Sequence, residues 1–73
     1  MLGLLINEKE HKEMIYLIKR ELEELLFDLD DHRIDEVVKQ TMRARYQTLF
    51  QLLQRVATEQ ECLEYMPKKS EYK

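Results

Sequence analysis

The chain has 73 residues, a formal net charge of −3, and one glycine, one proline and one cysteine. A chain of this length forms one small domain with a thin core, which is usually reinforced by disulfides, a structural metal or oligomerisation. The lone Cys62 excludes an internal disulfide, and with only two histidines the chain has no zinc-finger spacing, so oligomerisation is the reinforcement that remains.

The opening segment MLGLLIN is apolar but short. It lacks the basic region, the long apolar core and the cleavage site of a signal peptide, and no apolar run in the chain approaches the ~20 residues that span a bilayer. We therefore expect a cytoplasmic protein with no membrane partner.

The first predicted helix runs from Glu8 to Leu29. Asn7 is a favourable N-cap, and Glu10, three residues later, completes a capping box. The apolar residues recur every three or four positions and share one face: Ile15, Ile18, Leu22, Leu25 and Leu29. On a different face, Tyr16 and Phe27 are eleven residues apart, which is three helical turns, so both would be exposed in a monomer.

The acidic stretch LFDLDDHRIDE, residues 26–36, raises the question of a metal site. An EF-hand loop here would place arginine and lysine where glycine and glutamate are required. We interpret the stretch as a bend between two helices, in which Asp30 and Asp31 accept hydrogen bonds from the first N–H groups of the second helix, and Asp35 and Glu36 favour its positive end. No metal site is predicted there.

The second predicted helix runs from Ile34 to about Ala57. Its apolar residues again form a single stripe: Ile34, Val38, Met42, Tyr46, Leu49, Leu53 and Val56. Both helices have about 22 residues and a length of ~33 Å, which with a short connector favours an antiparallel hairpin. A single unbroken helical rod is the alternative.

After Ala57 the pattern is weaker. Thr58 and Glu61 fit a capping box, which either opens a short third helix or lies in a continuation of the second. Pro67 ends the helix in both cases. We therefore predict one domain over residues 1–66 and a flexible tail over residues 67–73.

The apolar surface is wider than one hairpin seam requires. The N-terminal leucines, the segment Leu63 to Met66 or a second copy of the chain could cover the surplus. We predict an all-α fold, an antiparallel hairpin of two long helices with a possible short third helix, that dimerises into a four-helix bundle. The self-association residues would be ten residues from the two stripes: Ile15, Ile18, Leu22, Leu25, Leu29, Val38, Met42, Leu49, Leu53 and Val56.

Charge is distributed unevenly between the predicted helices. Residues 8–31 hold nine acidic and four basic residues, net −5, whereas residues 32–57 hold two acidic and five basic residues, net +3. Arg45, at the edge of its stripe, either reaches Glu21 or Glu24 across a helix interface or extends into water. Together with Tyr16 and Phe27, it is a candidate for contact with a partner protein.

His11 carries the alternative functional hypothesis. Glu8 and His11 have the Glu-x-x-His spacing of di-iron helical bundles, and a histidine on a small helical hairpin resembles the phosphoacceptor of phosphorelay domains. The neighbouring residues His11-Lys12-Glu13-Met14 lack the sequence pattern of those domains. A metal or phosphoacceptor site at Glu8 and His11 is therefore kept as the alternative.

Other chemistries find little support in the sequence. The basic residues of the second helix are interleaved with aromatic ones, but helical geometry places them on different faces, so no nucleic-acid partner is predicted. One glycine excludes a glycine-rich phosphate loop, and Cys62 has no histidine near it in sequence. We predict a non-enzymatic interaction or regulatory module without a cofactor, whose partners are itself and possibly another protein.

Overall fold

A computed structural model describes residues 3–66 of the chain, and this part is all-helical, without a strand. Helix α1 spans Glu8–Leu29, α2 spans Glu36–Val56 and α3 spans Glu59–Leu63. The two long helices pack against each other along their lengths. Contacts between residues near the start of α1 and the end of α2 make the pair antiparallel, which confirms the predicted hairpin and excludes the single rod.

Helix α1 begins and ends where the sequence predicts. The Asn7 side chain accepts from the backbone N–H of Glu10 at 2.8 Å, and the Glu10 carboxylate accepts from the N–H of Asn7 at 2.9 Å, so the capping box is complete. At the other end, Asp30 is the C-cap, and the last turn contains no basic residue. Acidic residues at the negative end of a helix are unfavourable, which favours termination at this point.

The connector differs from its prediction. Asp35, not Asp30 or Asp31, is the N-cap of α2, and its carboxylate accepts from the N–H of Val37 at 3.1 Å. A cap must directly precede the first helical residue, and Asp31 lies too early in the chain to reach that N–H. Asp31 instead accepts from the backbone N–H of Arg33 at 2.9 Å and from its guanidinium at 3.0 and 3.1 Å.

The core lies between the hairpin and the C-terminal part of the described chain. Leu22 and Leu53, one from each predicted stripe, are fully buried, and every buried side-chain polar atom of the described residues has a hydrogen-bond partner. The buried residues are Ile18, Leu22, Leu25, Tyr46, Phe50, Leu53, Cys62 and Tyr65. The Cys62 thiol is therefore a packing group.

This core buries four of the residues predicted for self-association. Ile18, Leu22, Leu25 and Leu53 are already buried inside one chain and cannot contact a second copy in this packing. Val38, near the turn, is 46% exposed, because no third element covers that end of the hairpin. These four stripe residues build the core of one chain, whereas other members of the list, such as Val38, remain at its surface.

Helix α3 is a separate third helix that packs on the hairpin. Its Thr58–Glu61 capping box is formed, as predicted. Lys19 of α1 pairs with Glu61 at 2.8 Å, while the rings of Tyr65 and Tyr46 are both buried. The segment after α2 therefore covers part of the surplus apolar surface.

Of the three alternatives for covering the surplus, the N-terminal segment contributes little through Leu4 and Leu5, because both side chains are exposed. In the Leu63 to Met66 segment, Tyr65 is buried, whereas Leu63 and Met66 stay half exposed. The predicted tail, residues 67–73, lies outside the described residues, as do residues 1 and 2.

Candidate interaction surfaces

His11 lies at the open end of the hairpin, where α1 begins and α2 ends. Its Nε2–H donates to the backbone carbonyl oxygen of Val56 at 2.5 Å. Val56 is the last residue of α2, so its carbonyl has no intrahelical partner, and the imidazole supplies the missing donor. His11 thus joins the start of α1 to the end of α2 through this hydrogen bond.

The residues described bring together no metal-binding group. Between residues 3 and 66, no three histidine, cysteine, aspartate or glutamate side chains converge in a way that could hold an ion. In the acidic stretch, the Asp31 carboxylate accepts a hydrogen bond from Arg33, and the Asp35 carboxylate accepts one from the first turn of α2. The Arg33 hydrogen bonds lower the pKa of the Asp31 carboxyl, and the same contact raises the pKa of Arg33.

Within residues 3–66, one long side of the hairpin remains uncovered, and we call it the open flank. Helix α3 contacts α1 through Lys19, on one side of the core stripe, whereas Leu17 and Glu21 project on the other side at 100° per residue. Leu17 is 53% exposed, and Val38 and Leu52 are also exposed. The open flank consists of Met14, Leu17 and Glu21 on α1 and Val38, Arg45, Leu49, Leu52 and Val56 on α2.

Arg45 crosses the open flank between the helices. Its guanidinium lies 3.5 Å from the Glu21 carboxylate, so of the two alternatives the side chain takes the reach to an acidic residue of α1. Both side chains are more than one third exposed, so the pair contributes little to stability in the monomer, about 0–1 kcal/mol. The pair places one positive and one negative charge beside the apolar side chains of the open flank.

The two edges of the open flank differ in charge. At 100° per residue, the acidic residues of α1 on this side are Glu10, Glu13, Glu21, Glu24 and Asp28. Helix α2 has no acidic residue after Glu36, and Arg45 lies on its edge of the flank. The open flank therefore combines apolar side chains with an acidic edge and a weakly basic edge.

Tyr16 and Phe27 do not form one patch. Both are exposed, at 56% and 80%, but they lie ~16 Å apart along α1 with Arg20 and Glu23 between them on the same side. Phe27 instead joins an open groove at the turn end of the hairpin, which we call the turn groove. It is lined by Glu23, Leu26, Phe27, Asp30, Asp31 and Arg33.

Sequence reasoning missed Leu17, Leu26 and Glu23. The two leucines fall outside the periodic stripes, and an isolated exposed leucine carries no signal in a sequence, because apolar atoms are common on protein surfaces. Glu23 matters because it accepts a hydrogen bond from the Tyr65 hydroxyl at 3.0 Å, a contact that depends on where α3 packs.

The described helices include none that is both long and apolar enough to cross a bilayer. Comparison with known proteins finds no family model, curated protein or solved structure that matches this chain. The exposed surfaces of the chain are therefore the basis for a functional proposal.

Proposed function

We propose that the chain is a small non-enzymatic, cytoplasmic interaction module that pairs with itself through the open flank to form a four-helix bundle. The observation that carries this proposal is the one-sided packing of α3. It covers one side of the hairpin and leaves Leu17 and Leu52 exposed on the opposite side. An apolar surface rimmed by charges is typical of a protein–protein interface.

The size of the open flank suits a dimer. Helix α1 has 22 residues and α2 has 21. Each is therefore ~33 Å long, and two helices side by side are about 20 Å wide. This footprint is comparable to the ~800 Å² that each partner buries in a standard interface. A second copy presents a surface of the same size, so none of the flank needs to stay uncovered.

Charge selects one of the two face-to-face dimers. A two-fold axis across the hairpin would place α1 on α1 and bring the acidic edges together. An axis along the hairpin places α1 of each copy on α2 of the other, so that the acidic edge faces Arg45 and the rest of the acid-free edge. We propose the second arrangement.

This arrangement also predicts which residues meet. Within one chain, His11 and Val56 lie at the same height along the hairpin, as do Glu21 and Arg45. A two-fold axis along the hairpin keeps each residue at the same height in both copies. Leu17 of one copy would then lie near Leu49 and Leu52 of the other. The alternative function, a metal or phosphoacceptor site at Glu8 and His11, has less support because the His11 Nε2 is occupied by Val56.

Sedimentation equilibrium over a wide concentration range tests the dimer. We expect a dimer for the natural chain and a folded monomer for Leu17→Glu, because a carboxylate would be buried in the interface. Tyr16→Glu is the matched control, since it adds the same charge to a neighbouring residue that is 56% exposed but lies on another side of α1. A monomeric natural chain, or equal dissociation by both variants, contradicts the proposal.

Interchain cross-linking tests the axis. When Leu17→Cys and Leu52→Cys chains are mixed under oxidising conditions, the proposed arrangement gives a cross-linked pair that contains one chain of each kind. Cross-links that form only between two Leu17→Cys chains would instead indicate α1 packed on α1. Cys62 is buried and is left in place in both chains.

A further inference from the structure

The turn groove is separate from the open flank. Leu26 lies on the opposite side of α1 from Leu17 at 100° per residue, and Phe27, which is 80% exposed, lies ten residues or ~15 Å from Leu17 along the helix. The groove is also bounded by the side chains of the connector, Asp31 and Arg33, which are fixed to each other by hydrogen bonds. A dimer formed through the open flank would therefore leave the groove accessible.

The groove carries negative charge. Three carboxylates, Glu23, Asp30 and Asp31, and one guanidinium, Arg33, line it, which gives a formal charge of −2. The C-terminus of α1 opens at the same place, and its last turn contains no basic residue that would offset the partial negative charge of the helix end. Both contributions favour cations over anions at this site.

We propose that the turn groove binds a short segment of another protein, in which an apolar side chain is flanked by lysine or arginine. The apolar side chain would pack on Leu26 and Phe27, and the basic side chains would lie against Glu23, Asp30 and the end of α1. This proposal deepens the proposed function by giving the chemistry of a partner, and it rests on the idea that the chain acts by binding proteins. It does not depend on self-association.

The same features argue against other occupants. A membrane with anionic lipids and a nucleic acid both present negative charge, which the groove would repel. We assign a second copy of the chain to the open flank, where apolar side chains come from both long helices. A basic, amphipathic protein segment is the occupant whose apolar and charged groups both match those of the groove.

The probe for the experiment is a synthetic peptide of about 14 residues made of leucine and lysine, with leucine at every third or fourth position so that it is amphipathic as a helix. A second peptide has glutamate in place of lysine. Each is titrated into the isotope-labelled full chain while backbone amide shifts are followed by NMR. We expect the lysine peptide to shift residues 26–33 and the glutamate peptide to bind at least about 10-fold more weakly.

Two pairs of variants locate the binding site. Phe27→Ala should weaken lysine-peptide binding by about 10-fold or more, whereas Tyr16→Ala, on the same helix but outside the groove, should leave it unchanged. Asp30→Lys should weaken binding, whereas Glu13→Lys, with the same change of charge away from the groove, should not. Phe27 and Tyr16 are both exposed, so neither truncation threatens the fold.

Three outcomes would overturn the proposal: equal binding of the two peptides, shifts confined to Leu17 and Leu52 on the open flank, or affinity that Phe27→Ala leaves intact. Sedimentation of the same samples separates this result from the dimer. Leu17→Glu should abolish self-association but keep peptide binding, whereas Phe27→Ala should do the reverse.

Discussion

Tyr46 donates a hydrogen bond from its hydroxyl to the backbone carbonyl oxygen of Tyr65, at 2.7 Å, and both rings are buried. The Tyr65 hydroxyl in turn donates to the Glu23 carboxylate at 3.0 Å. These two hydrogen bonds thus link α2 to the segment after α3, and that segment to α1. These contacts connect α3 to both long helices, so the stability of the whole hairpin should depend on them.

The docking of α3 should weaken at high pH. Burial, and then the hydrogen bond to Glu23, raise the pKa of Tyr65 from 10.0 to about 12. The folded chain holds this proton more tightly than the unfolded chain, so the associated stability is present below pH 10 and is lost as the pH rises to about 12.

Thermal unfolding between pH 9 and pH 12, with tyrosinate absorbance, measures this effect. The melting temperature of the natural chain should fall more steeply over this range than that of Tyr65→Phe. Tyr16→Phe is the control, because Tyr16 is exposed, and its curve should follow the natural chain. If the melting temperatures of all three chains fall equally with pH, ionisation of Tyr65 does not cause the loss of stability.

Asp35 should be the most sensitive acidic residue of the connector. Asp35→Ala removes the N-cap of α2 and should lower the free energy of unfolding by about 0.5–2 kcal/mol. Asp30→Ala removes an acidic side chain from the negative end of α1 and should have little effect or stabilise slightly. Chemical denaturation of both variants measures the difference, and equal losses would contradict the assignment of the cap.

His11 should stabilise the fold without a metal. His11→Ala leaves the Val56 carbonyl without its donor and should cost about 0.5–1.5 kcal/mol. His32→Ala, at the exposed second histidine, is the control and should cost less. Added zinc or iron should leave the melting temperature of the natural chain unchanged. A rise that is lost in His11→Ala would favour the metal site instead.

Leu22 should contribute more to stability than an exposed leucine. Leu22→Ala removes a side chain with no exposed surface and should cost ~2–5 kcal/mol, a large part of the stability of a small domain. Leu63→Ala, at a half-exposed residue of α3, should cost much less. Chemical denaturation followed by circular dichroism compares the two, and similar losses would contradict the packing described for Leu22.

The helices were predictable because their signals are local. The Asn7–Glu10 box and the stripe around Leu22 lie within a few turns of each other along the chain, so spacing alone determines them. The cap at Asp35 was missed because several aspartates compete in one short stretch, and only the exact first residue of α2 decides between them.

The candidate surfaces were less predictable for a different reason. Whether Leu17 is exposed depends on which side of the hairpin α3 covers, and that depends on contacts such as Tyr65 to Glu23, which are 42 residues apart. A pattern within one helix contains no information about such a contact. The sequence identified Phe27 as exposed. That Phe27 lines a groove together with Leu26 and Asp30 depends on the path of the connector, which the sequence does not show.

The hydrogen bond between Tyr46 and Tyr65 also has a consequence for the time during which the ribosome makes the chain. When Tyr46 is added, its acceptor is still 19 residues from being synthesised. Because translation adds about 5–20 residues per second, this acceptor follows Tyr46 by about 1–4 s. Until the segment after α2 has docked, both long sides of the new hairpin are apolar, and chaperones would encounter a surface that the finished fold partly hides.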